Sequence, residues 1–372
     1  MYLGEFKIRR PQFSKLQGEA LQWLGWIHAQ ADPSRSVETY QKLLQRFSCS
    51  AERIHTRGYE HPLYGLESKE VRETFVDSET VMGLTERMKF YREICEERAE
   101  ELLPPTLPPP NLLMHVSCTG YTSPSAVQKI SLARQWSRTE VLHFYHMGCY
   151  ASLPACRSAW DFLRARGDGS RVQILHNELC TLHLDPSLHS PEQLVVQSLF
   201  ADGHITYAAG SELSGSKFEI LSFLEKIIPD SAQSMTWDLN NKAFFMTLAR
   251  DVPEKIQAHV LDFVTELTSK AGYNWDEVRQ RAYFAIHPGG PRIIDTLADF
   301  LKLEAWQIEH SQKTLRAYGN MSSGTLPHVW SSLLADSMAE PSMKDRPVIS
   351  LAFGPGLTMF GSCMDLRVAK QD

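Results

Sequence analysis

Residues 140–152 read Glu140-Val141-Leu142-His143-Phe144-Tyr145-His146-Met147-Gly148-Cys149-Tyr150-Ala151-Ser152. Val141 to His146 is β-prone and Gly148 breaks the run. A helix follows from Leu153 to Arg166, with Leu153, Cys156, Trp160 and Leu163 at helical spacing, until Gly167 stops it. A second cycle opens with the strand Arg171 to Leu175. The same grammar returns near the C-terminus. Ala282 to Ile286 is a strand, His287-Pro288-Gly289-Gly290-Pro291 a tight loop, and Arg292 to Leu303 a helix with Ile293, Leu297, Phe300 and Leu301 on one face. Two strand-turn-helix units, each with a reactive side chain at the turn, predict a duplicated α/β fold, although identity between the halves is negligible.

Working outward, residues 1–100 read as a short strand, Tyr2 to Ile8, followed mostly by helices, the last from Thr85 to Leu103 with a charged, solvated face. The proline run Leu103 to Pro110 cannot be helical and serves as a surface connector. Asn111 to Ser117 then reads as a buried strand running into the turn Cys118-Thr119-Gly120.

At 372 residues, 43% of them hydrophobic and 22% charged, the chain has enough apolar material for a sizeable core. Its 38 Lys and Arg against 44 Asp and Glu give a net charge of −6, without a basic stripe interleaved with aromatics, which argues against a nucleic-acid partner. There is no apolar run of membrane-spanning length and no signal-peptide pattern, so a soluble, cytoplasmic protein is expected. Seven scattered cysteines, without C-x-x-C pairs, argue against a disulfide framework or a structural metal site.

Cys149 stands between a strand and a helix, where free amides and the helix dipole favour a thiolate able to attack a thioester. His287, in a Gly/Pro loop at a strand end, is placed to pair with a thiolate or donate to an enolate. Asn320, in Tyr318-Gly319-Asn320-Met321-Ser322-Ser323-Gly324, precedes a helix. Each also has a plain structural reading: a packed cysteine, a histidine capping a turn, a helix N-cap. Gly354-Pro355-Gly356, after the strand Val348 to Ala352, is a turn signal.

Taken in order, these segments resemble the type III polyketide synthases, the chalcone synthase family, from about residue 40 onward. Gly148-Cys149-Tyr150-Ala151 is similar to the nucleophile motif and Ile286 to Pro291 to the histidine motif. Tyr318 to Ser323 is similar to the asparagine motif, and Phe353-Gly354-Pro355-Gly356-Leu357-Thr358 to the C-terminal glycine loop. Leu199 to Gly203 and Asp251-Val252-Pro253 also match. The resemblance implies a thiolase-type fold of αβαβα layers. Its N-terminal half, 1–222, would carry the cysteine, and its C-terminal half, 223–372, the histidine and asparagine. It further implies acylation of Cys149, with His287 and Asn320 binding the extender carbonyl and enolate. No metal or tightly bound cofactor is implied, and the assembly would be a homodimer. Phe200 would be an aromatic gatekeeper, Gly356 cavity wall, and Ser322 part of the substrate site.

Four departures from the family pattern stand out. The second gatekeeper falls on Met246, beside Phe245. Two small cavity threonines fall on Cys180 and His183, and the bulk of His183 should reshape the chamber. Ser123 stands where a methionine often crosses the dimer. Finally, three coenzyme A phosphate cations fall on Leu44, Phe47 and Ala51, with Lys42, Arg46 and Arg53 nearby. The resulting expectation is a ketosynthase that joins β-keto chains bound to an acyl carrier protein, through phosphopantetheine, into an α-pyrone. Such an enzyme is similar to the stand-alone ketosynthases of the myxopyronin and corallopyronin type. Three alternatives are an acyl-coenzyme A and malonyl-coenzyme A dependent synthase making alkylpyrones, a non-catalytic thiolase-fold partner, and a Cys/His thioester hydrolase.

Overall fold

The structure, a computed structural model, describes residues 1–339 and 343–369; residues 340–342 and 370–372 of the expected C-terminal half lie outside the described residues. In the first half the strands are β1 (Tyr2–Arg9), β2 (Phe13–Leu16), β3 (Thr56–Tyr59), β4 (Leu112–Ser117), β5 (Glu140–Tyr145), β6 (Arg171–Leu179) and β7 (Asp202–Gly210). Its helices are α1 (Gln17–Ala31), α2 (Val37–Phe47), α3 (Lys69–Phe75), α4 (Leu84–Leu102), α5 (Ala126–Ala133), α6 (Ser152–Arg166) and α7 (Pro191–Leu199). The second half adds β8 (Lys217–Ile227), β9 (Met235–Leu239), β10 (Phe244–Leu248), β11 (Tyr283–Ile286), β12 (Pro347–Gly354) and β13 (Thr358–Arg367). With them come α8 (Val252–Lys270), α9 (Trp275–Arg281), α10 (Pro291–Leu301), α11 (Ala305–Tyr318) and α12 (Thr325–Ala339).

Duplication is visible in the strand order. The main sheet runs β11-β12-β13-β8-β1-β7-β6-β4-β5. Read from its centre, β1-β7-β6-β4-β5 and β8-β13-β12-β11 follow one scheme, the second half lacking the outermost strand. In each, the last strand of the half runs antiparallel between the first strand and a parallel pair. Antiparallel pairing of β1 with β8 joins the two halves. The division expected at 222/223 falls inside β8, whose early residues pair with β1 and whose full length pairs with β13.

Side chains alternating along a strand point to opposite faces, so a strand covered on both sides reads as continuously apolar. In β4, Leu112, Met114 and Val116 pack with α6 and α12, whereas Leu113 packs with α4 and α5. In β12, Val348 and Ala352 join the same central cluster, and Ile349, Leu351 and Phe353 join α8, α10 and α11. The result is the layered arrangement of helices and sheets expected from the sequence, with α6 and α12 in the middle. The apolar stripe of α10 differs from the expected one. Ile294, Leu297, Ala298 and Leu301 are buried, and Phe300 is 37% exposed, because packing against α8 selects the neighbouring face of an ambiguous Ile293-Ile294 pair. The seven cysteines are all free and buried. Among the described residues, no helix is long and apolar enough to cross a membrane.

Burial lowers the pKa of eleven of the fourteen histidines, His28, His61 and His328 to about 4 and His115, His183 and His287 to about 3. Burial pushes Glu178 and Asp202 the other way, up to about 7. Below about pH 6.5 the unfolded chain binds protons that the buried imidazoles refuse, so stability falls as pH falls. Two carboxylates that take up protons early cannot offset eleven histidines. Thermal unfolding should therefore begin a few degrees lower at pH 5 than at pH 7. A Tm that stays constant or rises on acidification would contradict this.

Candidate active site

The parallel strands of both halves point their C-terminal ends at one region, where α/β sheets collect ligand-binding loops. From β5 the chain turns through two left-handed residues, His146 (φ +60°) and Gly148 (φ +82°), into Cys149. A side chain at Gly148 would bring its Cβ within 2.3 Å of Pro355 Cδ, so both conformation and space require glycine there. Cys149 is buried, with its Sγ 3.8 Å from Ser322 Oγ. Burial pushes the thiol up to about 12, opposed by hydrogen bonding with Ser322 and Asn320 and reinforced by the charge of Glu178. The thiolate expected from a helix N-terminus is thus not the resting form. Desolvation outweighs the dipole of α6, which begins only at Ser152.

His287 follows β11. Its backbone N–H donates to Leu351 O at 2.7 Å and its carbonyl accepts from Gly289 N–H at 2.8 Å, which fixes the loop while neither ring nitrogen has a partner among the described residues. Burial lowers its pKa to about 3, so the imidazole is neutral, with one ring nitrogen that can donate and one that can accept. Asn320 is held by its backbone, donating to Leu199 O at 3.1 Å and accepting from Ala201 N–H at 2.8 Å, which lays it beside Phe200. Its Nδ2 donates to Gly289 O at 3.3 Å, and its Oδ1 accepts from Ser322 N–H at 2.9 Å and Thr325 Oγ1 at 3.2 Å. The cap-like contact considered for Asn320 is therefore present on one side of the amide. The other side reaches the histidine loop.

Sequence reading passed over Glu178. Its fully buried carboxylate accepts from Cys118 N–H (2.9 and 3.1 Å), Thr119 Oγ1 (2.9 Å), and the N–H (3.3 Å) and hydroxyl of Ser323. One carboxylate thus grips the turn after β4, in the first half, and the Asn320–Ser323 turn, in the second. The available signal was an ionisable side chain one residue before the end of the strand that follows the Cys149 helix. Trp237, also passed over, donates from Nε1 to Cys118 O at 2.6 Å, and His146 Nε2 donates to Trp237 O at 2.6 Å.

Beside these loops Phe200, Cys180, His183, Trp237, Phe245 and Met246 line a narrow cavity of about 40 Å3. Phe245 and Met246 both reach it. His183 Nε2 donates to Thr119 O at 2.7 Å and its Nδ1 accepts from Phe244 N–H at 3.1 Å, with the ring stacked on Phe244 at 4.4 Å. His183 is thus a neutral wall, and the chamber is small because His183, Phe244 and Trp237 fill it. Gly356 and Ser123 lie elsewhere. Gly356 sits on the β12–β13 turn, donating to Met235 O at 3.2 Å, and Ser123 is exposed on the loop before α5. Leu44 is buried against α1, the Arg46 guanidinium lies 5.2 Å from the centre of the Phe47 ring, and Arg53 pairs with Asp295 at 2.9 Å.

Residues 219–367 match the family model of the chalcone and stilbene synthases, C-terminal domain. Type III polyketide synthase C of Arabidopsis thaliana is 29% identical over 257 residues, 68% of this chain and 66% of that protein. Type III polyketide synthase A of the same plant is 31% identical over 221 residues, 58% of this chain and 55% of that one. Over these stretches the chain is similar to type III polyketide synthases. The matched stretches span between 55% and 66% of these plant relatives. At the level of fold, the C-terminal type III polyketide synthase domain of Steely1 from Dictyostelium superposes with a TM-score of 0.83, at 21% identity, covering 99% of each chain. Tetrahydroxynaphthalene synthase from Streptomyces coelicolor A3(2) gives 0.82 at 21% identity, covering 99% of this chain and 100% of that one. The chain therefore has the thiolase-like α/β fold of type III polyketide synthases.

A buried, protonated thiol makes a direct prediction. The rate at which iodoacetamide alkylates Cys149 should rise about tenfold per pH unit from 7 to 9 without levelling off. A plateau near neutral pH would mean a preformed thiolate instead.

Proposed function

We propose that this chain is a ketosynthase that forms a carbon–carbon bond between two acyl thioesters through an acyl-Cys149 intermediate, drawing both from coenzyme A. The observation that carries the reading is the chain of hydrogen bonds from Cys149 through Ser322 to Asn320 and on to the His287 loop, with both nitrogens of a neutral, buried imidazole left without partners among the described residues. The matches to type III polyketide synthases support the coenzyme A reading over the carrier-bound one.

Cys149 Sγ adds to the starter carbonyl as its proton passes to His287, and coenzyme A leaves as the thiol after taking that proton. Malonyl-coenzyme A then loses carbon dioxide. His287 and the Asn320 amide hold the thioester oxygen as enolate charge builds there. The enolate carbon attacks acyl-Cys149, the carbon–sulfur bond breaks to expel Cys149 as a thiolate that takes up a proton from solvent, and a β-ketoacyl thioester remains. These steps require only thioesters and side-chain donors. Phe200, Met246, Cys180 and His183 border the growing chain, and the bulk of His183 among them favours few extensions. A homodimer fits the open edge of β5, where Leu142 is 40% exposed.

One observation favours the carrier-bound α-pyrone reading. Leu44, Phe47 and Ala51 supply no cation where coenzyme A phosphates would be held, and nearby Arg53 is already paired. Matched acyl-coenzyme A and acyl-carrier-protein donors decide between the two. We expect higher kcat/KM with the coenzyme A esters, carbon dioxide released from malonyl-coenzyme A, and losses of about 10²–10⁴ in His287→Ala and Asn320→Ala. Higher efficiency with carrier-bound β-keto chains, without carbon dioxide release, would install the α-pyrone reading in its place.

A further inference from the structure

We propose that Cys118 is a positioning residue that sets the nucleophile turn, a role that rests on reading Cys149 as the nucleophile. Cys118 Sγ donates to Gly148 O at 3.2 Å and accepts from Gly148 N–H at 3.1 Å. One thiol therefore holds both peptide planes that flank a left-handed residue. The Gly148 carbonyl belongs to the same rigid plane as the N–H of Cys149. A bond to that carbonyl consequently fixes where the Cys149 amide points and from which direction its side chain leaves the backbone. That amide is the one available to a developing oxyanion.

The clamp is itself anchored on both sides. Cys118 N–H is bound to the Glu178 carboxylate, Cys118 O accepts from the Trp237 indole, and the residue is 2% exposed. Glu178 also holds Ser323, three residues beyond Asn320. Cys118 is therefore the cross-member through which the nucleophile turn takes its register from the Asn320 turn. A packing role alone would need its bulk but not its paired hydrogen bonds. Valine keeps the bulk and removes the bonds, whereas serine keeps a donor and acceptor on a shorter arm.

Two measurements on the full chain test this. Deuterium exchange over residues 146–151 should quicken about tenfold in Cys118→Val, the equivalent of one lost hydrogen bond, and much less in Cys118→Ser. Turnover of the preferred thioesters should fall about tenfold in kcat in Cys118→Val, with KM within about twofold, and Cys118→Ser should recover most of it. Wild-type exchange and kcat in Cys118→Val would overturn the clamp, as would equal losses in both variants that simply follow a lowered Tm. If Cys118→Val does not fold, Cys118→Ala is compared with Cys118→Ser in the same way. Exchange needs no substrate, so a wild-type protein inert toward every thioester would sink the proposed function and leave the clamp to be judged on exchange.

Discussion

A single buried carboxylate holds the two halves of this molecule in chemical register. Glu178 lies at the end of β6 and accepts from donors on the turn after β4 and on the turn before α12. Removing a charge from water in this way is costly, and its pKa, pushed up to about 7 by burial, records that cost even though its hydrogen bonds pull the other way. The arrangement survives because breaking it would strand several buried donors at once.

Around that point the fold supplies what Glu178 cannot. The loops that follow β5, β11 and β12 meet, Gly148 lying against Pro355 and Asn320 against Gly289, so one half delivers a thiol and the other an imidazole and an amide. Burial then sets both titrating groups to neutrality, raising Cys149 and lowering His287. In the proposed mechanism the neutral thiol and the neutral imidazole stay inert until a carbonyl arrives and the proton moves. Such a site needs no standing ion pair, whose partners would each have to be desolvated.

Much of this was legible in the sequence where local signals were strong. The α6 stripe, the strand ending before His287, and the motifs around Cys149 and Asn320 rest on spacing and turn residues, which act over a few positions. What escaped depends on contacts across long separations. Glu178 meets Ser323 from 145 positions away, and Trp237 meets Cys118 from 119. Nothing local in Asn177-Glu178-Leu179 announces that its carboxylate faces two turns at once. The β9–β10 hairpin, which supplies Trp237, Phe244 and Met246 to the cavity wall, likewise went unread despite the Asn240-Asn241 turn between its strands. The ambiguous Ile293-Ile294 pair could be resolved only by knowing that α8 lies on one side. The expectation of a thiolate at Cys149 failed for a related reason, since a helix terminus is visible in sequence and the depth of its burial is not.

The central claim is that the convergence of two turns makes Cys149 a covalent acyl acceptor. Intact-mass spectrometry after brief mixing with a starter acyl-coenzyme A, without an extender, tests it most directly. The wild-type chain should gain the mass of one acyl group, traceable to the peptide carrying Cys149, and Cys149→Ala should gain none. No adduct across a panel of thioesters, or an adduct that persists in Cys149→Ala, would contradict it.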